Sequence, residues 1–172
     1  MSSPVTTSQT IGPFSHEAWR WAFDATATLR SSAATIVVSG AIYDGDGIPI
    51  NDAIIEAWLP DAVSTEQAQA IPGFRRVPSA DDGGFSLEVS LPTAAINGKP
   101  VMFVTVFARG LTRHQFCAVF LQDDSGLTQS EILLQVPAER RHTLIARKQA
   151  QGRYRWDIQM QGEQETVFFD YA

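Results

Sequence analysis

The chain has 172 residues, 44% hydrophobic and 19% charged, which suits one globular domain with a sizeable core and is too apolar for disorder. Its net charge is −6, and basic residues cluster no further than pairs such as Arg75-Arg76 and Arg140-Arg141, which excludes the concentrated positive patch that nucleic acid requires. The one cysteine, Cys117, excludes an intrachain disulfide and a cysteine-based zinc site. No apolar run approaches the roughly 20 residues that span a bilayer. Residues 1–10 hold no apolar signal-peptide core. A cytoplasmic protein is expected, with neither nucleic acid nor membrane as a partner.

Glycine and proline are dispersed and no repeat is visible, which predicts one domain. Residues 1–34 read as an arm, and residues 35–172 as the folded domain. Within the arm, residues 16–29 admit a short helix. Residues 35–43 (TIVVSGAIY) predict the first strand, and Asp44-Gly45-Asp46-Gly47 a hairpin turn, because Asp-Gly tolerates positive φ. Residues 52–58 predict the second strand, with Ile54, Glu56 and Trp58 on one face and Ala53, Ile55 and Ala57 on the other. Asp81-Asp82-Gly83-Gly84 marks another turn. After it, Phe85, Leu87 and Val89 alternate with Ser86, Glu88 and Ser90, the pattern of a strand with one wet face.

Residues 101–108 are apolar on both faces and predict a central strand, with 114–121 as its neighbour. Residues 129–136 predict a short helix capped by Ser130 and stopped by Pro137, where another turn begins. Residues 153–161 alternate, with Tyr154, Trp156, Ile158 and Met160 pointing in. Residues 165–169 predict a last short strand. About seven strands at regular spacing predict an all-β antiparallel sandwich with few short helices.

Familiar catalytic patterns are missing. His16, His114 and His142 form no HxH, HExxH or HxxxH pair, and read as surface or half-buried imidazoles. No GxSxG elbow and no glycine-rich phosphate cradle occurs. Asp44-Gly45-Asp46-Gly47 lacks the later ligands of a calcium loop. Two segments still invite a functional reading. Ser8-Gln9-Thr10-Ile11-Gly12-Pro13-Phe14 is stiff, and its Gly-Pro lets a ligand or another chain approach the backbone closely. It could equally dock on its own sandwich. Phe107-Ala108-Arg109-Gly110 puts a guanidinium fork, suited to a carboxylate, at the end of the central strand. Composition alone favours a structural salt bridge to one of the 19 acidic residues.

Taken together, TSQTIGPF (7–14), VSGAIYDGDGIPINDAIIEAW (38–58), GFRRVPSADDGGFSL (73–87), VTVFARGL (104–111), PAERRHTLIARK (137–148) and YRWDIQMQGEQETVFFD (154–170) resemble a known family. It is that of the protocatechuate 3,4-dioxygenase α subunits, among the intradiol ring-cleaving dioxygenases. The likeness runs in order over nearly the whole chain. FARG and QGEQETVFFD are its most specific parts, whereas the SQTxGP arm and the YDGDGxP turn are shared more broadly.

The resemblance implies the intradiol β-sandwich and a homologous catalytic β subunit, paired into αβ units within a larger oligomer. It implies O2-dependent cleavage of protocatechuate to 3-carboxy-cis,cis-muconate by non-haem Fe(III), which the partner would hold. Catalytic chains of the family bind that iron with two Tyr and two His. The two histidine positions fall here on Val101 and Phe103. The two tyrosine positions fall in the loop after Trp58 and in the loop before Val101, neither of which contains a Tyr. No metal ligand and no catalytic residue is therefore expected in this chain. What the resemblance leaves to it is substrate binding in the partner's pocket, by Arg109 near the substrate carboxylate and by Thr10, Gly12 and Pro13 of the arm. The chain also reads as shorter than these α subunits before Thr35 and from Pro60 to Ile71. Two other readings compete: a degenerate, non-catalytic dioxygenase-like sandwich acting as a structural or interaction module, and a plain transthyretin-like sandwich. Retention of Arg109 and of the arm favours the enzyme subunit, because a scaffold needs neither.

Overall fold

A computed structural model of the chain describes residues 20–26, 34–60, 66–92 and 96–170. A short helix α1 (Arg20–Thr26) precedes the strands β1 (Thr35–Tyr43), β2 (Ile54–Trp58), β3 (Phe74–Pro78), β4 (Gly84–Ser90), β5 (Met102–Phe107) and β6 (Gln115–Leu121). Helix α2 (Glu131–Leu134) and two 3-10 turns lead to β7 (Ile145–Ala150), β8 (Arg153–Arg155) and β9 (Ile158–Gln159).

The strands run in the order β3-β2-β5-β6-β7-β8-β1-β4, with β9 beside β1. Two halves of four strands follow from this order. In the first, β3, β2, β5 and β6 are antiparallel throughout. In the second, β7 pairs with β8 and β1 with β4, both antiparallel. A short parallel pairing of β6 with β7, Phe120 to Ile145 and Leu121 to Ala146, joins the halves at one side. On the other side Arg75 of β3 donates from Nε to the Glu88 carbonyl oxygen of β4 at 2.7 Å. The sheet is thus nearly closed around one core.

That core is what the alternation predicted. Ile55, Ala57, Val104 and Val106 from the first half meet Val38, Ile42, Leu87 and Val89 from the second, all buried. Each such aliphatic side chain contributes roughly 1.5–3 kcal/mol on burial. Ser86 and Glu88 face water, as expected, whereas Ser90, expected on the same wet face, is buried. The all-β sandwich class holds, with the parallel pairings β1/β8, β1/β9 and β6/β7 added to an otherwise antiparallel arrangement. At Gly40 of β1 a Cβ would lie 1.7 Å from the Trp156 carbonyl oxygen, so only glycine lets β1 approach the β8–β9 segment.

Several local expectations need correction. β3 and β7 were not expected as strands. Residues 165–169 form no strand: Thr166 exchanges two hydrogen bonds with Gln159, Phe169 N–H donates to the Phe116 carbonyl oxygen, and no ladder develops. Residues 153–161 form two short strands, not one. The turns at 44–47 and 81–84 do reverse the chain. Asp44 accepts from the N–H groups of Asp46 and Ile48, and Gly47 sits at φ 77°. The strands they join nevertheless pair elsewhere, since β2 and β3 belong to the other half. Ser130 does cap α2, its hydroxyl accepting from Leu133 N–H. Of the helix expected at 16–29, Arg20–Thr26 is helical and packs on β3, where Thr26 Oγ1 accepts from Arg76 N–H at 3.1 Å. Among the described residues no helix is long and apolar enough to cross a membrane.

Candidate functional site

The outward face of the first half carries an aromatic surface. Strand alternation sends Phe103, Thr105 and Phe107 of β5 outward, while Met102, Val104 and Val106 go to the core. Register then sets their neighbours. Phe103 lies opposite Trp58, which lies opposite Phe74; Thr105 lies between Glu56 and Phe116. Trp58 and Phe74 have ring centroids 4.5 Å apart, Phe103 and Phe116 stack at 5.6 Å, and Phe116 meets Phe169 at 6.4 Å. Trp58 remains 47% exposed. In the middle of this surface Glu56 and Arg76 form an ion pair of 2.7 Å. Burial pushes the Glu56 carboxyl above its ordinary range, and the Arg76 guanidinium and His114 offset part of that push.

Three segments meet at one end of this face: the chain after Trp58, the loop before Val101, and Val101 itself. Leu59, Pro60, Ile96, Lys99, Pro100 and Val101 are among the residues lining a cavity of about 10 Å3. That volume holds about one water molecule. The loop is fixed by the Gly98 N–H, which donates to Asp124 Oδ2 at 2.6 Å. Carboxylate, imidazole, phenol and thiol are all absent from the described lining, whose polar side chains are Ser90 and Lys99. Phe103 turns its ring onto Phe116.

Arg109 follows directly on β5. Leu111 N–H donates to the Ala108 carbonyl oxygen and Gly110 takes φ 91°, so the chain turns sharply just after the arginine. Its Nε lies 2.9 Å from Asp52 Oδ2, while its side chain stays 66% exposed. The structural salt bridge that composition favoured is therefore present, and the guanidinium is still open to a ligand. Asp52 is only 15% exposed and its Oδ2 is buried without a hydrogen bond of good geometry, so the contact is an ion pair that is open on the arginine side alone, where a ligand carboxylate can compete for the guanidinium.

The other candidates do not assemble. Thr10, Gly12, Pro13 and His16 lie outside the described residues. His114 leans on Phe107 with centroids 5.7 Å apart, and His142 bonds through its two ring nitrogens to Glu139 and Gln164. Among the described residues no three His, Cys, Asp or Glu side chains gather as a metal site. Cys117 is buried, and burial pushes its thiol far above the usual range, which removes it as a nucleophile. The ion pair of Glu66 with Arg75 escaped sequence reasoning altogether, because neighbouring arginines on a short strand carry no periodic signal.

Comparison with known proteins bears on this arrangement. No family model matches the chain. Its sequence is similar to the protocatechuate 3,4-dioxygenase alpha chain of Burkholderia cepacia, 33% identical over 190 aligned positions that cover 96% of each chain. The alpha chain of Pseudomonas putida is 30% identical, over 98% of this chain and 97% of that one. This chain belongs to the protocatechuate 3,4-dioxygenase alpha-chain family. Solved structures agree on the fold. The dioxygenase domain of a carbohydrate-binding fusion protein from Streptomyces sp. SirexAA-E superposes with a TM-score of 0.56 at 16% identity, over 78% of this chain and 84% of that one. For 3-chlorocatechol 1,2-dioxygenase from Rhodococcus opacus 1CP the TM-score is 0.57 at 14% identity, over 78% and 62%.

Intradiol dioxygenases as a group imply non-haem iron. The described residues of this alpha-chain relative do not fit that ion. Ferric iron calls for oxygen anions and imidazole nitrogens, whereas the converging segments offer Val101, Phe103, prolines and a lysine.

Proposed function

We propose that this chain is the metal-free α subunit of a protocatechuate 3,4-dioxygenase, and that it completes the pocket of a homologous β subunit holding the Fe(III). The reaction of the pair is insertion of both oxygen atoms of O2 into protocatechuate, giving 3-carboxy-cis,cis-muconate. One observation carries this reading: the segments assigned to the metal by resemblance converge here on a cavity of about 10 Å3 whose described lining holds no donor set, while Arg109 stays exposed at the end of the same strand.

In this role the chain makes and breaks no bond. Arg109 faces the carboxylate of the bound aromatic acid and exchanges Asp52 for it. Thr10, Gly12 and Pro13 of the arm wall the ring. Both contributions are positioning and charge complementarity. The half-exposed Trp58 and the aromatic rings around it on β5 and β6 give the chain apolar surface for a partner.

The pairing is tested by size-exclusion chromatography with multi-angle light scattering on the chain mixed with a catalytic β chain. An αβ unit or a multiple of it, with one chain of each kind per unit, is the expected result. Two chains that elute apart at micromolar concentration would leave the degenerate scaffold as the better account.

A further inference from the structure

The second half of the sandwich carries a cleft of about 270 Å3 that the α-subunit reading does not use. Arg147 of β7 and Arg155 of β8 line it and stand directly opposite each other in the antiparallel register. Like charges in that position repel, and an anion between them relieves the repulsion. Asp157, in the same wall, compensates one of them: its Oδ1 lies 2.6 Å from Arg155 Nη2. Arg147 has no ion-pair partner among the described residues. The cleft therefore keeps one uncompensated guanidinium. Gln149 and Gln159 add amide donors to the lining. His142 stands at its edge, with Nδ1 donating to the Glu139 carbonyl oxygen at 2.7 Å.

We propose that this cleft binds the carboxylate of a small organic acid, with Arg147 as its cation. The guanidinium fork matches two carboxylate oxygens at once. The volume lies near the lower end of small-molecule pockets, about 300 Å3, so it suits a compact acid. A single net positive charge beside Asp157 suits a carboxylate and disfavours phosphate, whose second charge Asp157 repels. None of these residues is one that the α-subunit reading uses, so failure here leaves the α-subunit reading intact, and failure there leaves this site intact.

The test is a titration of propionate, a compact acid with a single charge, into the full-length 15N-labelled chain at constant ionic strength, followed by the side-chain amide signals. Saturable shifts at Gln149 and Gln159 are expected. Arg147→Gln is expected to weaken binding about tenfold or more, the worth of a hydrogen bond to a charged group. Arg153→Gln removes the same charge from β8 outside the cleft lining and is expected to leave binding unchanged. Absence of saturation would overturn the proposal, as would equal weakening by both variants, which is the mark of diffuse attraction. Inorganic phosphate binding more tightly than propionate would overturn the choice of a carboxylate.

Discussion

Glu66→Ala is expected to cost about 3–5 kcal/mol of stability, because it leaves a buried guanidinium without its carboxylate. Glu66 is fully buried and Arg75 is 2% exposed. Arg75 Nη1 donates to Glu66 Oε2 at 3.0 Å, and its Nη2 donates to Oε1, so the pair is a two-pronged fork. Gly73 N–H donates to the same carboxylate at 2.7 Å. The remaining Arg75 hydrogen bonds go to the carbonyl oxygens of Phe74 and Glu88. One side chain thereby ties the 66–73 loop to β3 and β3 to β4, at the side where the sandwich has no ladder to close it. In a domain of this size the loss corresponds to a fall in Tm of roughly 10 °C. Glu66→Gln is expected to cost less, since its amide oxygen still accepts. Burial pushes Glu66 upward, but the hydrogen bonds from Arg75 and Gly73, with the Arg75 charge, outweigh it and hold the carboxyl below its ordinary range. A group lowered in the folded state stabilises above its unfolded value and loses that contribution as pH falls through the folded one. Urea unfolding should therefore show the full gap between parent and Glu66→Ala at neutral pH, narrowing in acid. A gap under about 1 kcal/mol at neutral pH would show that the pair is not the closure assigned to it.

Arg109→Ala should weaken catalysis by the assembled enzyme without touching its chemistry. A hydrogen bond to a charged group is worth about 1.5–3 kcal/mol, so kcat/KM for protocatechuate is expected to fall between roughly tenfold and a hundredfold. The loss should appear mainly in KM, because the interaction binds ground state and transition state alike. Asp52→Asn separates the two roles of Arg109: it removes the internal partner at 2.9 Å and frees the guanidinium. This second variant is expected to keep or lower KM. Unchanged kinetics in Arg109→Ala, measured as oxygen uptake, would take Arg109 out of the pocket.

How much of this was visible in the amino-acid order depends on which force shaped each element. β1, β4, β5 and β6 were readable because burial of alternating or continuous apolar residues made them, and burial leaves a period-two mark. β3 was invisible because one of its two inward residues is Arg75, beside Val77, and the place of that arginine in the interior depends on Glu66, nine positions earlier and in a loop. β7 was missed because its last four residues are exposed and three of them are polar, so only pairing with β6 and β8 makes it a strand. Residues 165–169 erred in the other direction. Val167, Phe168 and Phe169 are apolar because they pack against the core, not because a ladder holds them. Parallel pairings such as β1 with β8 join distant segments, and local pattern says nothing of them.

The site divides in the same way. Arg109 could be singled out as a candidate because a guanidinium at a strand end is conspicuous. Its pairing with Asp52 was foreseen as a type of interaction and not as a residue, because one acid among 19 cannot be chosen without the fold. The convergence of the chain after Trp58 with the loop before Val101 came from resemblance alone, and the geometry brings the two segments together around Val101.

Iron content and protocatechuate-dependent oxygen uptake, measured on this chain alone and then in complex with a catalytic β chain, test the central claim most directly. The account predicts that the isolated chain carries no stoichiometric iron and consumes no oxygen. It predicts that the complex carries one iron for each αβ unit and turns over protocatechuate. Stoichiometric iron with turnover by the chain alone would contradict it, since Val101, Phe103 and the described lining of the small cavity beside them offer no donor set for that metal.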